Sequence, residues 1–140
     1  MKKILLIPIV FLSCYLFAGQ PDEVYFKNSE LLITKKTEAC NNSANGTYRE
    51  YIFLKLENLT DKKMEVSFKK ELWYNEQCTT CEKNNEEYLM KVVLNPRESI
   101  SGNCDLRQRA LSVFSKMLDK TSNSSLTKFE LKNIQIKTIE

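Results

Sequence analysis

Residues 48–68 read YREYIFLKLENLTDKKMEVSF, and their alternation decides the fold class. Ile52, Leu54 and Leu56 alternate with Phe53, Lys55 and Glu57, the two-residue period of a strand with one face on a core and the other toward solvent. Asn58 to Lys63 breaks that period with turn-forming residues, and Met64, Val66 and Phe68 resume it, which predicts two strands joined as a hairpin.

Outward from this pair the same period recurs. Lys70 falls on the inward phase of the second strand, so a slip or bulge is expected before Leu72, Trp73 and Tyr74. Asn75 to Glu87 reads as a long polar loop, and Tyr88 to Leu94 as a strand with Met90, Val92 and Leu94 on one face. Asn95-Pro96-Arg97-Glu98 turns into a short strand, Ser99-Ile100-Ser101. Near the C-terminus Phe129 and Leu131 share one phase and Ile134 and Ile136 the other, which a bulge near Asn133 reconciles. At the front, Val24 to Phe26 and Leu31 to Thr34 supply one broken or two short strands. Leu106 to Leu118 fits either period: Leu111, Phe114 and Leu118 are helically spaced behind an Asp105/Gln108 capping box, whereas Leu111, Val113 and Met117 fit a strand, the preferred reading. With only three glycines and three prolines and regularly spaced short strands, the expected fold is all-β, an antiparallel immunoglobulin-like β-sandwich of about seven strands with room for one short helix.

Leu56-Glu57-Asn58-Leu59-Thr60-Asp61-Lys62 and Leu94-Asn95-Pro96-Arg97-Glu98-Ser99-Ile100 carry a resemblance to the small exported immunoglobulin-like β-sandwich proteins of Gram-negative bacteria. The first is similar to their Asn-containing hairpin between early strands. The second is similar to their Pro-Gly-Glu turn, with Arg97 where glycine is usual. The resemblance implies a fold and no activity.

Compartment is read from residues 1–19. Lys2 and Lys3 precede an apolar run from Ile4 to Phe17 that closes on Ala18-Gly19, the pattern of an export signal and too short to span a bilayer comfortably. Residues 20–140 then form a single β-sandwich domain, periplasmic or secreted. Phe11-Leu12-Ser13-Cys14 resembles a degenerate lipobox, which makes Cys14 a candidate lipidation site and a lipid-anchored envelope protein the alternative. Without Lys2 and Lys3, 19 basic residues face 18 acids, so there is no electrostatic case for nucleic acid, and a membrane is met only through a lipid anchor.

Four cysteines remain: Cys40, Cys78, Cys81 and Cys104. An even count in an oxidising compartment reads as two disulfides. If consecutive strands reverse direction, the loops holding all four lie at one end. Three connectivities exist; the preferred one joins Cys40 to Cys104 and Cys78 to Cys81.

The chain contains no histidine, which removes Ser-His-Asp and Cys-His catalysis and the commonest metal ligand. Cys78-Thr79-Thr80-Cys81 could act as a redox dithiol if Cys78 opened a helix, although Glu76 and Glu82 nearby would raise a thiol pKa. A four-cysteine zinc site would ordinarily use two CxxC pairs, and the chain has one. Trp73, Tyr74 and Tyr88 could build an aromatic platform, with core packing as the alternative. The expected function is a non-catalytic envelope binding module for a protein or glycan ligand, with no cofactor and no metal. The alternative is a thiol-disulfide oxidoreductase using Cys78 and Cys81; a helix starting at Cys78 would favour it.

Overall fold

The computed structural model describes residues 21–42, 44–81, 88–119 and 122–140. Residues 1–19, expected to be an export signal, with Cys14, and Glu82 lie outside the described residues. The fold is an antiparallel β-sandwich. Its strands are β1 (Glu23–Lys27), β2 (Leu31–Asn42), β3 (Thr47–Asn58), β4 (Met64–Tyr74), β5 (Gln77–Cys78), β6 (Leu89–Leu94), β7 (Ser99–Ser101), β8 (Ser112–Met117) and β9 (Leu126–Thr138). The first sheet has the order β1-β2-β3, with β7 and β8 both on the far side of β3; in the second, β4 pairs β9 along one side and β6 and β5 along the other.

The expected hairpin between residues 48–58 and 64–68 does not form. β3 belongs to the first sheet and β4 to the second, so Leu59–Lys63 carries the chain across the sandwich. Five residues of connection let each strand face the other with its apolar phase, and Leu54, Leu56, Met64, Val66 and Phe68 meet there with Leu31, Ile33, Val92, Leu94, Leu111 and Leu131. Asn58, 1% exposed, fixes the crossing. Its side-chain amide donates to Lys62 O (2.7 Å) and Asn95 O (2.9 Å), and its Oδ1 accepts from Thr60 N and Thr60 Oγ1 (both 2.9 Å). The two turn motifs of the sequence are thus one lock, closed on the outside by Arg97 Nε donating to Asp61 Oδ1 at 2.8 Å. Arg97 adopts φ 58°, a left-handed conformation that glycine reaches without strain.

The bulge near Asn133 is present: Asn133 has φ 54°, and β9 gains a residue between the pairs Ser67↔Gln135 and Lys69↔Lys132. The slip expected in β4 is absent. Lys70 keeps the inward phase of Met64, Val66 and Phe68, and its Nζ donates to Arg109 O (2.9 Å) and Ser112 O (3.0 Å), bonds that offset the partial burial of the ammonium. The segment 106–118 resolves as a short 3-10 turn, Arg109–Leu111, followed by β8.

The polar loop expected over 75–87 starts instead as a hairpin. Asn75 (φ 48°) and Glu76 (φ 69°) form a two-residue turn with both residues left-handed, which returns β5 to β4 through Trp73↔Cys78 and Tyr74↔Gln77.

Candidate functional site

β7 and β8 behave as one strand interrupted by an excursion. β3 pairs β7 at Lys55–Glu57 and β8 at Arg49–Phe53, and between them Leu54 O accepts from Gly102 N at 3.0 Å. Residues 103–111 leave and return at this point. The neck of the excursion is so tight that a Cβ on Gly102 would lie 2.4 Å from Leu111 O and 3.0 Å from Phe53 Cδ1.

The excursion covers part of the solvent side of the first sheet. Residues opposed across β2 and β3 share a face, so Cys40↔Arg49, Glu38↔Tyr51 and Lys36↔Phe53 form successive rows on the side away from Leu54 and Leu56. Phe53, on the phase read as outward, is indeed outward and yet 1% exposed; Tyr51 is 7% exposed. Leu106 of the excursion packs on them, and the Cys40–Cys104 disulfide pins it there. The result is a second apolar layer outside the main core. Tyr51 stacks on Phe53 with ring centroids 5.7 Å apart and meets Phe114 edge-on at 5.7 Å. Such pairs add roughly 0.5–1.5 kcal/mol each beyond burial.

Beyond the excursion the layer stays open. An extra residue, Ser115, shifts the register of β8 between Glu50↔Lys116 and Tyr51↔Phe114, which brings Phe114 and Met117 onto the same face although they are three residues apart. The pairs Tyr51↔Phe114 and Arg49↔Met117 therefore floor a cleft of about 410 Å³, with Ser122 at its side. Arg49 Nε is buried and has no hydrogen-bond partner, and Arg49 makes no ion pair among the described residues. The carboxylate in the next row, Glu38, is taken by Lys36 at 2.7 Å. Tyr74 reaches in from the other sheet and donates through its hydroxyl to Phe114 O at 2.8 Å; burial, helped by Tyr51, pushes its phenol pKa up.

The second disulfide, Cys78–Cys81, lies in the other sheet, at β5 beside β4. No helix starts at Cys78. The chain after β5 stays against β4, where Thr79 N donates to Leu72 O (2.8 Å) and the Thr80 hydroxyl accepts from Leu72 N and donates to Lys70 O (both 2.9 Å). Cys81 N donates to Cys78 Sγ at 3.1 Å and Lys69 Nζ to Cys81 O at 3.1 Å. The cysteines pair as preferred, but the bridges sit on different sheets, and Cys40 and Cys78 are strand residues rather than loop residues. Trp73 and Tyr74 build no common platform: Trp73 lies under Lys128 Nζ, 4.5 Å from the ring centroid, while Tyr74 points to β8. Among the described residues no group of three or more His, Cys, Asp or Glu is placed to hold a metal ion.

Sequence reasoning did not single out Arg49 or the excursion, and named Phe114 only for its helical spacing. The available signal was Tyr51 and Phe53 on the outward phase of a strand, where two successive aromatics need a cover. The chain matches no protein-family model, no curated protein and no solved structure.

Proposed function

We propose that the protein is an exported, immunoglobulin-like β-sandwich module of the cell envelope, periplasmic or secreted, that works by binding a protein or glycan without catalysis. Its binding surface is the solvent face of the first sheet beside the Cys40–Cys104 bridge. One observation carries this: Arg49, which makes no ion pair among the described residues, lines a cleft together with Tyr51, Phe114 and Met117.

Two disulfides point to a non-cytoplasmic location, and among the described residues no helix is long and apolar enough to cross a membrane. The oxidoreductase alternative has the Cys81 N–H bond to Cys78 Sγ in its favour and the strand setting of Cys78 against it, because the thiolate lacks a helix terminus.

The test is a titration of the ¹⁵N-labelled mature protein with hydrolysed envelope polysaccharide and with solubilised envelope proteins. Shift changes grouped on Arg49, Tyr51, Phe114 and Met117 support the binding role; changes elsewhere, or none with either fraction, contradict it. Catalytic insulin reduction that requires Cys78 would favour the oxidoreductase instead.

A further inference from the structure

Among the described residues the cleft is lined by one cation, Arg49, which makes no ion pair, beside Tyr51, Phe114 and Met117. The Arg49 guanidinium is a planar fork suited to a carboxylate, which accepts two parallel N–H bonds from it. Met117 and the Phe114 and Tyr51 rings flank it, and Ser122 adds a hydroxyl. The space, about 410 Å³, is a shallow depression open to solvent, so a ligand would lie across its floor rather than be enclosed. Its floor offers no main-chain hydrogen bonds, because β3 is paired by β2 on one side and by β8 on the other over Arg49–Phe53. A peptide added as an extra strand needs a free edge, so the floor favours a ligand read through side chains.

We propose that the cleft binds a carboxylated sugar, a uronate unit of an acidic polysaccharide, an inference that rests on the binding role given to this face. Arg49 takes the carboxylate, Phe114 and Met117 take the C–H face of the sugar ring, and Ser122 bonds a ring hydroxyl. A uronate places one carboxylate beside an apolar ring face, which is the pattern the cleft presents in complement.

The test uses trigalacturonate and its methyl ester, which keeps the rings and removes the charge, measured by calorimetry and by ¹⁵N shift mapping on the oxidised protein. The acid form should bind with shifts at Arg49, Tyr51, Phe114 and Met117, and the ester at least about tenfold more weakly. Arg49→Gln should abolish the preference for the acid and Arg49→Lys retain part of it, with dispersed amide spectra confirming that both fold. Equal affinity for acid and ester, or an Arg49→Gln variant that still prefers the acid, overturns carboxylate recognition; the binding role survives if the shifts still map to the cleft. If neither sugar shifts the cleft residues, the uronate assignment fails, and it fails together with the binding role if envelope fractions leave them unmoved as well.

Discussion

Replacing Lys70 with methionine should remove an alkaline rise in stability. Lys70 Nζ lies on the inward side of β4, held by two backbone carbonyl oxygens, and burial pushes its pKa down from 10.5 to about 8. The unfolded chain therefore binds more protons than the folded one between pH 8 and pH 10.5, and stability rises with pH across that window. The full cost of the buried charge is present below pH 8 and gone above pH 10.5. At ~1.36 kcal/mol per pH unit the cost is at most about 3.4 kcal/mol, and two carbonyl bonds that favour the charged form bring it nearer to 1–2 kcal/mol. Tyr74 works in the opposite direction: its phenol pKa is raised by burial, so its contribution is lost as pH rises above 10. Urea unfolding of wild type and Lys70→Met at intervals from pH 7 to pH 10.5 measures this. Wild-type stability should climb by about 1–2 kcal/mol from pH 8 to pH 10 while the variant stays flat. Parallel curves would refute the reasoning. A variant destabilised by more than about 2 kcal/mol at pH 7 would show that the carbonyl bonds outweigh the desolvation.

Gly102→Ala should cost more than about 2 kcal/mol in chemical denaturation, because the new Cβ meets backbone at Leu111 O, 2.4 Å away, and neither β3 nor the neck of the excursion can give way. Asn58→Ala should cost about 2–4 kcal/mol by the same assay, since it strips hydrogen bonds from two turns at once, whereas Asp61→Ala, which removes only the exposed pair with Arg97, should cost less than about 1 kcal/mol. Glu76→Gly should raise the melting midpoint, a gain of about 0.5–1 kcal/mol, because glycine adopts the left-handed turn conformation at φ 69° without strain.

The parts of the fold written in single strands were legible in the sequence. The alternation of β3, β4 and β6, the turn at Asn95–Glu98 and the bulge at Asn133 follow from local period and turn chemistry, and those are set within a few residues. What depends on partners was not. A turn of five residues serves a hairpin and a sheet-to-sheet crossing equally, so the period of residues 48–68 could not show that β3 and β4 belong to different sheets. Lys70 looked misplaced because nothing local identifies the carbonyls of Arg109 and Ser112 that receive it. The candidate site was hidden for the same reason. Arg49 and Phe114 become neighbours in function only through the register of β3 and β8 and the extra residue at Ser115, and the cover on Phe53 arrives from fifty residues further along the chain.

The central structural claim is that a disulfide-pinned excursion covers a second aromatic layer on the solvent face of the first sheet. Hydrogen exchange read by mass spectrometry, comparing wild type with a Cys40→Ser/Cys104→Ser double variant, tests it most directly. The expected result is faster exchange confined to peptides spanning 103–111 and the β8 and β3 amides beside Tyr51 and Phe53, with β4 and β9 unchanged. Acceleration spread evenly over both sheets, or none in 103–111, would contradict it.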